Sequence, residues 1–184
     1  EDFPPDMLAN LPGVCGSVVV YSRPNTPASV VTRGLATSGS ADLTEEVAGL
    51  RLRYAHDSFF QINVPVFEHA VRDIAAHIHP TGTILELYSG VGAIGLQLTR
   101  RAERVLAFEL NAPAVACARE NARQNHIENY EAFALSAQQI HADTLSAPGA
   151  LVLDPPRGGL APKVVQRLLK ARPPLILYLS CNPA

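Results

Sequence analysis

Ser180-Cys181-Asn182-Pro183 follows an apolar run, residues 175–179, close to the end of the 184-residue chain. A cysteine at the tip of a buried strand can serve as a nucleophile if its thiol is accessible and its pKa is lowered by a neighbouring cation. The polar flanks Ser180 and Asn182 favour that role over the competing one, a small apolar residue filling core space. Arg157, in Asp154-Pro155-Pro156-Arg157, is the candidate cation. Its guanidinium could also stabilise negative charge growing on a substrate oxygen, with a solvated turn residue as the alternative. The two prolines stop a strand and fix an extended loop. Such a loop can clamp a flat ring, with Asp154 at the strand tip binding a ring N–H or orienting a cofactor.

A second group of residues reads as a ligand cradle. Gly90-Val91-Gly92-Ala93-Ile94-Gly95 matches G-x-G-x-x-G and lies between an apolar run at 83–88 and a helical pattern. Glu109 comes 19 residues after Gly90, at the end of the next apolar run. Glycines let the backbone approach a ligand closely, and the carboxylate can accept both hydroxyls of a ribose. Two ligand classes use this geometry. A nicotinamide dinucleotide sets its pyrophosphate on the helix N-terminus, whereas S-adenosylmethionine puts its methionine part and ribose against the same turn. Tight packing alone is a third use of the glycines, and Tyr88 is either core or a wall of the pocket. The double-proline loop favours S-adenosylmethionine, because methylation of a nucleobase must hold the ring against the donor and hydride transfer has no general need of a clamp. It also gives the thiolate a task. Carbon 5 of uracil is a poor nucleophile; thiolate addition at carbon 6 makes it an enolate carbon able to attack an electrophilic methyl group, after which a base removes the carbon-5 proton and the thiol is expelled.

The elements that must position these residues fall into two parts. Residues 1–57 carry short β-rich runs at 16–21, 29–32 and 50–54, separated by turn signals such as Arg23-Pro24-Asn25 and Ser38-Gly39-Ser40. They predict a small antiparallel element, part of a larger domain. Residues 58–184 alternate helices and buried strands. Helices are predicted at 64–78, 93–99, 112–125 and 162–171, and strands at 83–88, 104–109, 130–135, 151–154 and 175–180. This βαβ order implies an α/β, Rossmann-like parallel sheet with helices on both faces. Ligands on such sheets sit beyond the carboxyl ends of the strands, and the cysteine, the glycine turn and the Asp-Pro-Pro-Arg loop all fall there.

Composition bounds the rest. With 47% hydrophobic residues the chain can bury one core and carry a small appended domain. A net charge of −2 gives no global basic field, so a nucleic-acid partner needs local patches. The candidates are Arg100, Arg101 and Arg104, and Lys163, Arg167, Lys170 and Arg172; solvated helix ends are the plainer reading. Three widely spaced cysteines form no zinc or iron–sulfur pattern and fit a reducing compartment, the cytoplasm. No apolar run reaches the ~20 residues a membrane span needs.

Five ordered motifs over residues 14–184 resemble the RNA uracil-5 methyltransferase family: Phe59-Phe60-Gln61-Ile62-Asn63, Leu85-Glu86-Leu87-Tyr88-Ser89-Gly90-Val91-Gly92, Glu109, Asp154-Pro155-Pro156-Arg157 and Ser180-Cys181-Asn182-Pro183. The resemblance implies the S-adenosylmethionine-dependent methyltransferase fold and an RNA substrate, 23S rRNA ahead of tRNA. It implies Cys181 as nucleophile, and Gln61, Tyr88, Glu109 and Asp154 in contact with cofactor or base, alongside Gly90 and Gly92 of the turn. Read from residues alone, Gln61 could simply cap the helix that follows, and Glu86 is a supporting partner rather than a base. There are departures. Ala93 stands where some members have Asn, Ser136 where an acidic residue is frequent near the adenine, and neither an iron–sulfur cysteine cluster nor an N-terminal RNA-binding barrel is present. The family's general base is a glutamate beyond the cysteine motif, so this chain alone is expected to be inactive or nearly so. A non-catalytic RNA-binding module and a nicotinamide oxidoreductase are the alternatives from other functional classes.

Overall fold

A computed structural model describes residues 4, 6–23 and 32–180. The expected nucleophile Cys181 and most of the expected strand at 29–32 lie outside those residues.

The first elements are antiparallel, as expected. A short helix α1 (Asp6–Ala9) precedes β1 (Gly16–Tyr21), which pairs with β2 (Arg33–Gly39) through a register shift at Val19/Val20. Gly39 turns the chain with φ 72°, at the Ser38-Gly39-Ser40 signal. A second hairpin joins β3 (Asp42–Val47) to β4 (Leu50–Ala55) through Ala48 and Gly49. Their φ values, 47° and 83°, are the both-positive pair whose twist matches a two-residue hairpin. Neither β2 nor β3 stands out in the sequence, because most of their positions are exposed and carry no strict alternation.

Helix α2 (Val64–His77) follows. Its cap is Asn63, whose Oδ1 accepts the Val66 N–H at 3.3 Å, which leaves Gln61 free of the capping role. Then come β5 (Thr81–Leu87), α3 (Gly95–Leu98) with a 3-10 turn to Arg101, β6 (Ala102–Glu109), α4 (Ala112–Gln124) and β7 (Tyr130–Ala134). After these lie α5 (Ala142–Ser146), β8 (Ala150–Leu153), α6 (Pro162–Ala171) and β9 (Ile176–Tyr178). The expected helix at 93–99 shortens to α3 because positive φ at Gly90 and Gly92 holds the preceding residues in a turn. The five strands β5–β9 form one parallel sheet in the order β7-β6-β5-β8-β9. The chain winds outward from β5 through β6 to β7, then returns to the other side of β5 for β8 and β9. The reversal makes the carboxyl ends of β5, β6 and β8 the place where a ligand fits.

Alternation along β5 divides the core. Ile84 faces a cluster with Phe67, Val71 and Ile74 of α2, Val115 and Ala118 of α4, and Val47 and Leu52 of the β3–β4 hairpin. Leu85 and Leu87 face the other cluster, with Leu145 of α5 and Val164 and Leu168 of α6. Glu86 shares the face of Ile84, so a carboxyl side chain is drawn into the interior by the pleat.

Candidate active-site cleft

Beyond Leu87 the chain leaves β5 through Tyr88, whose φ of 64° is left-handed, a costly conformation for an aromatic residue. The Tyr88 and Ser89 N–H groups both donate to the Phe108 carbonyl, at 2.9 and 3.2 Å, which pins the turn to β6. Gly90 has φ 53°, its N–H donates to Glu109 Oε2 at 3.1 Å, and a Cβ there would meet open space. Glu109 Oε1 accepts the Asn111 N–H at 2.8 Å. The carboxylate is thus fixed between the turn and the start of α4, and each oxygen keeps room for a further donor such as a ribose hydroxyl.

Gly92 and Gly95 serve a different purpose. A Cβ at Gly92 would lie 2.8 Å from Tyr130 Oη, and one at Gly95 would lie 2.1 Å from Glu86 Oε2. Both are glycines because side chains press on the back of the turn. Behind it, Glu86 Oε1 accepts the Gly95 N–H at 3.0 Å. Glu86 Oε2 is buried without a hydrogen-bond partner among the described residues, and the Ser89 hydroxyl and Tyr130 phenol are buried close to one another behind the turn. Burial pushes the Glu86 carboxyl up to about 8; the Gly95 N–H opposes the shift, and the Asp154 and Glu109 carboxylates add to it. Burial, with Glu86 nearby, likewise drives the Tyr130 phenol well above its ordinary value.

The opposite wall comes from the segment between β4 and α2 and from the tip of β8. Tyr54 and Phe60 stack with centroids 4.2 Å apart and planes 8° apart, which seats the neighbouring Gln61 at the cleft. Gln61 Nε2 reaches Asp154 Oδ2 at 3.5 Å, a long contact bridging the two elements. Asp154 is half-buried, and burial raises its carboxyl against the pull of Gln61. Gln61, Tyr88, Gly90 and Asp154 therefore line one cleft, together with Glu86 and Phe59. Glu109 joins it through Gly90, whereas Gly92 faces Tyr130, Leu96 and Ala118. Arg157 is exposed in the turn closed by the Gly159 N–H on the Pro156 carbonyl, away from the lining. Ala93 lines the cleft, and Ser136 uses its hydroxyl to cap the 3-10 turn at Ala137–Gln139. Leu179 donates to the Leu153 carbonyl at 2.8 Å, so the described chain runs out at Ser180 alongside the Asp154 loop.

Asn121 was not singled out by its type or motif. Its side chain accepts the Arg53 N–H at 2.8 Å and donates to the carbonyls of Arg53 and Val91, both at 3.0 Å. It thereby ties β4 and the glycine turn to α4. The available signal was a polar residue on the apolar stripe Ala114, Val115, Ala118 and Ala122.

The cleft holds carboxyl groups and no lysine or arginine among its lining residues. That composition repels a pyrophosphate and suits a cationic ligand carrying ribose hydroxyls. No group of three or more His, Cys, Asp or Glu able to hold a metal occurs among the described residues. None of their helices is long and apolar enough to cross a membrane.

Residues 41–147 match the model of a protein family described as tRNA (uracil-5-)-methyltransferase. An uncharacterized RNA methyltransferase of Gloeobacter violaceus is 37% identical over 182 residues, covering 97% of this chain and 38% of its own length. One from Chlorobaculum tepidum is 34% identical over 171 residues, covering 89% of this chain and 35% of its own. The chain thus spans little more than a third of these relatives. Among solved structures, the Pyrococcus abyssi tRNA (uracil-54, C5)-methyltransferase in complex with S-adenosyl-L-homocysteine superposes on 100% of this chain and 45% of that one. Its TM-score is 0.82 at 28% identity. Pyrococcus abyssi Trm5b, at 16% identity and TM-score 0.61 over 75% of this chain and 39% of that one, shares the fold.

Proposed function

Because this chain belongs to the RNA uracil-5 methyltransferase family, we propose that it binds S-adenosylmethionine in the cleft between the glycine turn and Asp154. There it takes part in methylating carbon 5 of a uridine in RNA, with Cys181 as the nucleophile. The observation that carries the cofactor assignment is the Glu109 carboxylate held beside the open face of Gly90, in a cleft lined by acids and no basic side chain. A ribose and a sulfonium fit that set; a pyrophosphate does not.

S-adenosylmethionine, when bound, supplies an electrophilic methyl group. The residues of the chain divide the remaining work. Glu109 accepts the ribose hydroxyls, and Gly90 lets the backbone come close. Gln61 and Asp154, bridged across the cleft, present an amide and a carboxylate to cofactor or base edges. The Cys181 thiolate adds to carbon 6 of the uracil, carbon 5 gains the methyl, and loss of the carbon-5 proton to a base expels the thiolate unchanged. Arg157 enters this reading as the cation that lowers the thiol pKa.

For the RNA, the family description and the Pyrococcus abyssi neighbour both name tRNA, which supports tRNA as the substrate. The 23S rRNA expected from the sequence has no comparable support and stands as the second arm of the assay. The complete protein is incubated with S-adenosylmethionine and either tRNA or rRNA, and modified nucleosides are identified by mass spectrometry. Formation of 5-methyluridine in one RNA is the expected result. The Cys181→Ala protein should bind S-adenosylhomocysteine normally and form none; substantial turnover by that variant rules out the covalent route.

A further inference from the structure

The glycine turn has an unusual backing. Glu86 is 2% exposed, yet it lines the cleft, and only one of its carboxyl oxygens has a partner. Helices α2 and α4 present apolar side chains to this face of β5, and the polar groups near Glu86 come from other elements. From α3 comes the Gly95 N–H, from β7 the Tyr130 phenol, and from the turn the Ser89 hydroxyl. From the tips of β8 and β6 come the carboxylates of Asp154 and Glu109. Among the described residues, no lysine, arginine or histidine lines the cleft to neutralise a carboxylate there.

We propose that the Glu86 carboxyl is the group by which this cleft distinguishes a sulfonium cofactor from its thioether product. The inference rests on the S-adenosylmethionine reading above. A buried carboxyl surrounded by acids and apolar side chains keeps its proton while the cleft is empty or holds an uncharged thioether. A positive charge entering the cleft favours the carboxylate, and Glu86 gives its proton to solvent. When the methyl group leaves, the sulfur becomes neutral, the carboxylate loses its counter-charge, and Glu86 takes a proton back. The amino and carboxyl ends of the methionine part occur in both ligands, but the sulfonium acidifies the neighbouring ammonium, so the comparison with Glu86→Gln is what separates that titration from the one at Glu86. The single change is one charge on sulfur.

The sign follows from the raised carboxyl, near 8 in the free cleft. Below the pKa that Glu86 has with the sulfonium present, the carboxyl is protonated with either ligand, and preference for the cofactor is flat. Between that lower pKa and about 8 the preference climbs with pH, and above 8 it is flat again. A sulfonium that lowers the Glu86 pKa by about one unit raises the ratio of cofactor to product affinity about tenfold across that window.

Isothermal calorimetry on the full-length protein tests this with S-adenosylmethionine and S-adenosylhomocysteine as the probes. Titrations at several pH values from 6 to 9 give the affinity ratio. Repeating them in two buffers of different ionisation enthalpy gives the protons released. The expected result is a ratio that rises about tenfold with pH and proton release with the sulfonium beyond that seen with the thioether. In Glu86→Gln, whose amide oxygen can still accept the Gly95 N–H, the ratio should lose the wild-type rise and the extra release should vanish. A purely structural Glu86 would weaken both ligands alike and leave the ratio's pH profile unchanged. If wild type binds both ligands with the same pH profile and proton count, the inference is overturned while the cofactor assignment stands. If neither ligand binds at any pH, the cofactor assignment itself falls and takes the inference with it. If the variant does not fold, a wild-type ratio that fails to rise with pH still overturns the inference.

Discussion

Gly95→Ala should be far more harmful than its place in a helix suggests. Alanine is a better helix former than glycine by about 1 kcal/mol, so a substitution at an open position of α3 would stabilise it. At Gly95 the added Cβ would sit 2.1 Å from Glu86 Oε2 and 3.0 Å from both Glu86 Cδ and Tyr130 Cε2, where ordinary contact begins at 3.4 Å. One partner must retreat by more than an ångström in a fully packed region. Overpacking of this kind costs about 1–3 kcal/mol. Displacing Glu86 also breaks its bond to the Gly95 N–H, leaving a buried polar group unsatisfied at about 1–3 kcal/mol. Against the propensity gain, the net is a loss of about 3 kcal/mol.

Urea unfolding of the full-length protein, read as a double-mutant cycle with Glu86→Ala, separates the clash from everything else. With Glu86 truncated the nearest obstruction is gone, and Gly95→Ala should be neutral or stabilising by up to about 1 kcal/mol. The coupling between the two sites should then be about 3–4 kcal/mol, well above the about 0.5 kcal/mol that marks independent positions. Equal effects of Gly95→Ala in the two backgrounds would refute the claim that this glycine is dictated by the carboxyl behind it.

Three further outcomes follow from the same geometry. Glu86→Gln should gain stability relative to wild type as pH rises. The folded carboxyl, raised to about 8, holds a proton that the unfolded chain releases near its ordinary 4.5, so wild-type stability is full below 4.5 and falls up to 8. The gap should widen by at most about 1.4 kcal/mol per pH unit, and parallel urea midpoints from pH 5 to 8.5 would contradict it. Asn121→Ala removes a side chain bonded to both β4 and the glycine turn and should cost about 2–4 kcal/mol, with faster amide exchange in β4 than in β8. Glu109→Ala should weaken S-adenosylhomocysteine by about 10–100-fold in calorimetry, the value of one or two hydrogen bonds to a charged acceptor, and an unchanged affinity would remove Glu109 from the ribose.

Much of this arrangement was legible in the sequence, for physical reasons that differ by element. β8 reads as four apolar residues, all buried, because a central parallel strand has helices on both sides. α4 is expected at 112–125 and found at Ala112–Gln124, where the structure adds the cap: Asn111 Oδ1 accepts the Ala114 N–H. The convergence of Gln61, Tyr88, Gly90 and Asp154 follows from topology, since each stands at or beyond a strand's carboxyl end or in the segment leading into α2. Other features leave weaker traces. β2 and β3 are mostly exposed and lack an alternating pattern, and α5 spans only Ala142–Ser146, too short for periodicity to register. The Asn121 bridge is a tertiary bond between residues 68 positions apart, which no local spacing encodes. Glu86 reads from the sequence as a supporting partner in a strand, and its burial against Tyr130 and Gly95 becomes visible only when the fold brings them beside it. Cys181, on which the proposed chemistry turns, lies just past the described residues.

The three glycines of the turn carry a lesson about fingerprints. Gly90 alone opens onto the cleft; its two companions are shaped from the rear, by a tyrosine and a glutamate that belong to other strands. An enzyme gripping pyrophosphate and one gripping a thioether nucleoside can thus converge on the same string of letters under unrelated pressures. In such folds the ligand is named less by the glycines than by the charges of the walls that face them.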